Sequence, residues 1–507
     1  MVELALPLRV LFAVLLGAVQ SQAYAHVELW PLQLIAVGGL AVLALGTTPW
    51  RAGLLGLSFG TAWLCAGIWW LYNSLHVYGG LPAWMAVAPN VLLSVFLSVY
   101  LALAMAAYAW LRTPQRWRNA LNFGALWLLA ELARGIVFTG FPWISSGYAH
   151  VQSPLAGLAP WVGVYGMGAV AAVLAAWPAS VGATSGAQRA LSLTVPVAVL
   201  AALAGAGTAD FTQATRSLTV SLLQNNVAQD EKFDRASMPQ AMAWTLERML
   251  DAPGELVVGP ETVIPLLPSE LDPQYWQDLK NHFQHGDRSA LFGLPLGDET
   301  IGYTNSVAGM SAAATSLPGG FYRYDKHHLV PFGEFIPRGF RWFTQLMNIP
   351  LGDFNRGPEG AASFVVKGER IGPNICFEDL FGEELAVRFS RQRPGPTIFA
   401  NVSNIGWFGD TVAIDQHLQI SRMRTLEFQR PMIRATNTGA TVVIDHRGRI
   451  TAAVPHATRI VLNSSVEGRT GMTPYVWWVS RFGLWPLVIG ALTLLAYTGS
   501  AVASRRH

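Results

Sequence analysis

The sequence predicts a bundle of about eight membrane helices that carries one α/β domain of interleaved strands and helices. Three observations lead there. The chain of 507 residues is 52% hydrophobic and only 13% charged, against about 25% charged residues in an ordinary globular protein. Its first 210 residues contain no lysine, whereas the stretch from about 211 to 470 reads as a soluble domain. Apolar runs long enough to cross a bilayer, which takes roughly 20 helical residues, fall near 5–21, 27–47, 53–73, 84–111, 120–138, 161–183, 190–209 and 483–503.

The first run carries Arg9 and is followed by no clear small-residue cleavage site, so it reads as a retained helix. Eight runs place both termini on one side. That side collects Arg51, Arg112, Arg116, Arg118, Arg189, Arg505 and Arg506, while loops 74–83 and 139–160 hold neither Lys nor Arg. The positive-inside rule therefore predicts cytoplasmic termini. The expected domains are residues 1–210 with seven helices, a polar insert at 217–467 on the periplasmic side of a bacterial inner membrane, and an eighth helix at 483–503.

The net charge of +3 comes from arginines in short loops rather than from a basic stripe, which excludes nucleic acid as the expected partner. Cys65 lies in an apolar run and Cys376 in the polar insert, so both are expected as free thiols. In the fifth run Glu131 and Arg134 share a helix face, where each offsets part of the other's burial cost. They serve either as structural glue or as part of a site. Gly140-Phe141-Pro142-Trp143 follows at the expected membrane boundary, where a tryptophan commonly anchors a helix.

Within the insert, strands are expected at 218–226, 256–260, 290–295, 304–310, 320–326, 370–376, 397–402, 440–445 and 460–466, with amphipathic helices such as 234–250 and 413–428 between them. Strands this apolar, alternating with helices, predict a layered domain with buried sheets.

Three polar residues stand at or just beyond the ends of such strands: Glu261 in Val-Val-Gly-Pro-Glu-Thr, Lys326 in Tyr-Arg-Tyr-Asp-Lys-His-His, and Cys376 in Pro-Asn-Ile-Cys-Phe-Glu-Asp. Side chains from separate strand ends can converge on one rim. A thiol nucleophile needs a base for its proton and a cation for the oxyanion formed on attack, and Glu, Lys and Cys supply those parts. Singly, a cysteine is as readily a small buried hydrophobe and a Glu or Lys a solvated charge. His327 and His328 are adjacent and would point apart on a strand, so no metal site is expected, and no phosphate-cradling glycine loop is present.

Together these segments resemble the carbon-nitrogen hydrolase, or nitrilase, superfamily over residues 217–467, sharpened by Pro331-Phe332-Gly333-Glu334-Phe335-Ile336-Pro337 and by Ser403-Asn404-Ile405-Gly406-Trp407-Phe408-Gly409. That resemblance implies an αββα sandwich. With eight spans and Gly140-Phe141-Pro142-Trp143, the whole chain resembles the apolipoprotein N-acyltransferase family. The likeness implies transfer of an acyl chain from a phospholipid to the cysteine as a thioester, and then to the α-amino group of a diacylglyceryl-cysteine at the start of a lipoprotein.

By motif it implies Cys376 as nucleophile, Glu261 as general base, Lys326 as oxyanion stabiliser, and Glu334 and Glu378 as supporting acids. Phe377 stands where the family commonly has Tyr, Phe233 where it often has Trp, and Ser403-Asn404-Ile405 lacks the Asp of Ser-Asn-Asp. Trp143, Phe233, Trp342, Phe343, Asn404 and Trp407 are the expected substrate-side residues. No cofactor is implied. Residues 338–352 gather Trp342, Phe343, Leu346, Met347 and Ile349 at helical spacing, as either a core-packed face or a lid dipping into lipid. Two other readings stay open: a membrane-bound amidase or nitrilase using the same trio, and a transporter or scaffold.

Overall fold

A computed structural model describes residues 4–181, 186–337, 339, 353–389 and 394–503. They form two compact units: the described residues up to Tyr72 together with Pro82–Ala209 and those from Phe482 onward, and a second unit of Asn73–Leu81 with Asp210–Arg481. The 338–352 segment, with Trp342 and Phe343, lies outside the described residues apart from residue 339.

The helical unit contains α1 (Leu6–Gln20), α2 (Trp30–Leu43), α3 (Pro49–Gly67), α4 (Ala83–Trp110), α5 (Arg116–Ile136), α6 (Ala159–Val181) and α7 (Gly186–Ala206). Its last helix, Trp485–Ala503, follows the α/β unit in the chain. Proline in the first turn of the first three helices starts each without losing a needed N–H.

The expected count of about eight spans is approximate. By length and hydropathy four helices qualify among the described residues: Leu6–Tyr24, Ala83–Trp110, Arg116–Thr139 and Pro154–Ser180. Two more qualify if the bent pairs Pro49–Gly67 with Leu71–Tyr78 and Pro474–Phe482 with Trp485–Thr498 each count as one. The run near 27–47 yields only the shorter Val27–Leu43, while the run near 190–209 lies largely within the 21-residue α7. Seventeen residues at about 1.5 Å each reach about 25 Å, short of the roughly 30 Å hydrocarbon layer.

Inside this unit Glu131 and Arg134 are glue. The pair is buried at 3.5 Å. Glu131 accepts the Ser146 N–H at 2.7 Å and its hydroxyl at 2.6 Å, while Arg134 donates to Phe141 O at 2.9 Å and Trp143 O at 2.8 Å. The charges thereby satisfy the backbone of a non-helical loop that could not stand unpaired in lipid. Trp143 is buried in that loop, its ring 4.9 Å from Trp70, rather than exposed as an interface anchor.

The second unit is an α/β domain of two six-stranded sheets. One runs β12-β1-β2-β3-β4-β5, from β1 (Thr212–Gln224), β2 (Leu256–Val258), β3 (Ser289–Asp298), β4 (Gly302–Met310), β5 (Tyr322–Asp325) and β12 (Ile460–Gly471). The other runs β11-β10-β9-β8-β7-β6, from β6 (Phe364–Val366), β7 (Glu369–Ile375), β8 (Ile398–Ser403), β9 (Met432–Thr436), β10 (Val442–Ile444) and β11 (Ile450–Ala453).

Period-two alternation builds the layers. Leu218, Val220 and Leu222 of β1 and Ile398, Ala400 and Val402 of β8 pack in one core between the sheets. On the outer face of the first sheet, Val257, Ala290 and Phe292 meet Met242 and Met249 of α8 (Met238–Asp251) and Leu279 and Phe283 of α9 (Pro273–His285). Ile414 and Leu418 of α10 (Ala413–Phe428) cover Val442 and Ile444 of the second sheet. The result is the expected helix, sheet, sheet, helix order. The central pairs β1–β2, β2–β3, β7–β8 and β8–β9 are parallel, so they carry chain ends toward one rim.

Candidate active site

Glu261 follows β2 in a tight bend where Thr262 has φ +48°. The bend lies directly on β3. A Cβ at Gly293 would stand 2.4 Å from Thr262 N and 2.7 Å from Pro260 O, so only glycine allows this approach. Lys326 follows β5, its N–H bonded to Asn305 O of β4 at 2.9 Å. Cys376 follows β7 with φ +51°. A non-glycine residue in that region is strained, and here it sits on a sharp strand-to-helix turn.

The three carboxylate, ammonium and thiol groups converge. Lys326 Nζ donates to Glu334 Oε1 at 2.8 Å and lies 3.4 Å from Glu261 Oε1. Asn305 Nδ2 donates to both of those oxygens at 2.7 Å. The Asn404 N–H donates to Glu261 Oε2 at 2.8 Å, so Glu261 is oriented at both oxygens. Glu334 Oε2 accepts the Val330 N–H at 2.8 Å, which closes its own loop.

Charge and burial set the resting state. Burial alone would lower the Lys326 ammonium, but Glu334, Glu261 and Cys376 more than offset it and hold the group above its ordinary value. Lys326 is therefore a fixed cation. Burial pushes the Cys376 thiol up, and Glu261 adds to this while Lys326 opposes it. The thiol thus rests protonated at neutral pH, and a base must take its proton during attack.

Glu378 ties the nucleophile to the cation. Its Oε1 accepts the N–H groups of His327 at 2.7 Å and His328 at 3.2 Å, and its Oε2 accepts the Ile375 N–H and the Tyr324 hydroxyl at 2.7 Å each. Phe377 is buried, its ring 5.3 Å from Phe381 and 5.6 Å from His328. It acts by packing.

Beneath the turn lies a buried polar network that sequence reasoning missed. Asp379 meets His417 Nε2 at 3.0 Å and accepts the Ser421 hydroxyl. Arg434 donates to His417 Nδ1 at 3.1 Å, and since a guanidinium only donates, the imidazole carries its proton on Nε2. That N–H also reaches the Cys376 carbonyl at 3.2 Å. Burial would raise the Asp379 carboxyl, but His417, Arg434 and Ser421 outweigh it and hold the group below its ordinary value. The signal available was Asp379 itself, inside the cysteine motif, and an arginine in an apolar strand.

Asn305 was also missed, although an asparagine within the apolar strand β4 is out of place by strand preference. Of the expected substrate-side residues, Asn404 touches Glu261 and binds Gln229 Oε1 at 2.9 Å. Trp407 is partly exposed with its ring 5.6 Å from Tyr78, whose segment belongs to the same unit. Phe233 is exposed on the stretch that leads into α8. Trp143 belongs to the helical unit and is buried there. Among the described residues no cluster of His, Cys, Asp and Glu could hold a metal ion, and both cysteines are free.

Comparison with known proteins covers both units. Residues 16–177 match the apolipoprotein N-acyltransferase N-terminal domain, and residues 219–471 match the carbon-nitrogen hydrolase family. A protein of Verminephrobacter eiseniae described as apolipoprotein N-acyltransferase is 51% identical over 481 residues, covering 90% of this chain and 89% of its own. One from Ralstonia nicotianae is 45% identical over 506 residues, covering 98% and 93%, and one from Bordetella bronchiseptica is 42% identical, covering 94% and 92%; both carry the same description. The apolar helices make the chain a multi-pass membrane protein. The α/β sandwich with its cysteine turn, joined to membrane helices along a nearly full-length match, means that the chain belongs to the apolipoprotein N-acyltransferase family.

Proposed function

We propose that this enzyme takes an acyl chain from a membrane phospholipid onto Cys376 and passes it to the α-amino group of a diacylglyceryl-cysteine on an apolipoprotein. The observation that carries the reading is the junction of Glu261, Lys326 and Glu334 about Asn305, within electrostatic reach of a strained, protonated thiol. In the first step Glu261 takes the thiol proton as sulfur bonds to the ester carbonyl carbon. The carbon–oxygen bond breaks, and the proton passes from Glu261 to the departing lysophospholipid alkoxide.

In the second step the acceptor's neutral amine attacks the thioester. A carbon–nitrogen bond forms, the carbon–sulfur bond breaks, and the amine proton returns through Glu261 to the thiolate. Lys326 stabilises the oxyanion of both steps, a contribution worth about 100- to 1000-fold in rate for one such donor. Both substrates are lipids, so they reach a membrane enzyme by lateral diffusion, and a covalent intermediate lets them use one pocket in turn.

The arginine bias of the short loops supports cytoplasmic termini and an α/β domain in the periplasm of the inner membrane. Trp407, Phe233 and Asn404 are the groups we assign to the substrate side. The test is reconstitution in phospholipid vesicles with a synthetic diacylglyceryl-cysteine peptide. The reading requires N-acylated peptide and lysophospholipid in equal amounts. Release of free fatty acid with the peptide unchanged would instead identify a hydrolase.

A further inference from the structure

Lys232 is a second buried lysine at this site, and nothing in the catalytic trio accounts for it. The chain between β1 and α8 turns so that the Lys232 N–H meets Ala228 O at 3.0 Å, and its side chain then runs inward. Lys232 is 6% exposed. Its Nζ donates to the backbone oxygen of Glu261 at 3.1 Å, and it lines a cavity with Glu261, Thr262, Asn225 and Asn437. Among the described residues this is the one hydrogen bond of the ammonium, and no carboxylate lies within ion-pair distance.

A buried ammonium without a carboxylate partner is costly. Burial brings the group down to about 8, while the charges of Glu261 and Cys376 pull it back up. Negative charge that develops at the site during reaction is what such a cation would offset.

We propose that Lys232 is a positioning residue of the acyl-transfer site, where it holds the Glu261 loop by its backbone and supplies a second positive charge that favours the Cys376 thiolate. The assignment rests on Cys376 being the nucleophile. The charges acting on Lys232 are those of Glu261 and Cys376. Those acting on Cys376 include Glu261, Lys326, Glu334 and Asp379, and Arg434 feels Cys376 in turn. Lys232 is thus one of several cations, and the one not neutralised by an adjacent carboxylate.

The experiment is the rate of iodoacetamide alkylation of Cys376 against pH, read by mass on the purified full chain, with Cys65 as internal control. Removing the charge in Lys232→Met moves the profile to higher pH and slows alkylation near neutrality by about tenfold, the equivalent of about one pKa unit. Lys232→Gln retains an N–H for Glu261 O but no charge, and must show the same shift, including where Lys232→Met does not fold. A Lys232→Gln profile that overlays the unaltered protein overturns the proposal. Alkylation needs neither acyl donor nor acceptor, so this result stands apart from whether acyl transfer itself is observed.

Discussion

Glu378 accepts the backbone N–H of His327 at 2.7 Å, and through that bond the turn carrying the nucleophile is fastened to the strand end carrying the cation. The other oxygen holds the Ile375 N–H on the residue before Cys376. One carboxylate thus sets the separation of sulfur and ammonium. In Glu378→Gln one amide face meets N–H groups it cannot accept, leaving a buried donor unpaired at a cost of about 1–3 kcal/mol. The expected outcome is a lower melting temperature together with slower acylation of Cys376; slower acylation at unchanged stability would assign Glu378 a direct chemical role.

Glu261→Gln separates base chemistry from architecture. The amide keeps one acceptor oxygen for Asn305 or for the Asn404 N–H but takes no proton. Acyl-enzyme formation is expected to fall by at least about 100-fold, the range of general base catalysis, with circular dichroism unchanged. Lys326→Met is expected to slow both half-reactions, measured by separate single-turnover assays.

Gly293→Ala tests the approach of the Glu261 bend to β3. Its Cβ would stand 2.4 Å from Thr262 N and 2.7 Å from the Glu261 Cα, both backbone, so the bend must move. A misplacement of about 1 Å can cost about 100-fold in rate. Acylation of Cys376 is expected to fall by that order in a single-turnover assay, with circular dichroism unchanged.

The Asp379 network predicts a pH dependence of stability. Its carboxyl is held below the ordinary value by His417, Arg434 and Ser421 against the opposing effect of burial. A depressed folded-state value means that this stabilisation is fully present above the unfolded value near 3.9 and is lost as pH falls through the folded value. Melting temperatures of the unaltered protein and Asp379→Asn should therefore differ most at neutral pH and converge in acid below about pH 4. A constant difference across that range would remove Asp379 from the ionised role.

The convergence of Glu261, Lys326 and Cys376 was legible because each follows an apolar strand: β2 and β7 sit in parallel pairs, and β5 runs in the direction of β3 across two antiparallel pairs. Nine strands were expected and the α10 helix was placed at its observed bounds. Three strands escaped for separate reasons. Phe364–Val366 is too short for alternation to register, Ile450–Ala453 is an edge strand with exposed, small side chains, and Met432–Thr436 carries Arg434, a charge that reads as surface. That arginine is buried only because Asp379 and His417 arrive from other elements. Lys232 and Asn305 share this property: their partners, the Glu261 backbone oxygen for one and the Glu261 and Glu334 carboxylates for the other, lie far off in sequence, which no local pattern encodes. In the helical unit, hydropathy located each apolar run but not the shortness of Val27–Leu43, because loops and helix ends share the same apolar composition.

The measurement that bears most directly on the account is the intact mass of the purified protein after incubation with phospholipid alone, with peptide mapping of the modified residue. The account predicts one added acyl group on Cys376, stable in water, discharged on adding a diacylglyceryl-cysteine peptide with a free amine, and missing in Cys376→Ala. An unmodified Cys376, or continued acyl transfer by Cys376→Ala, would contradict it.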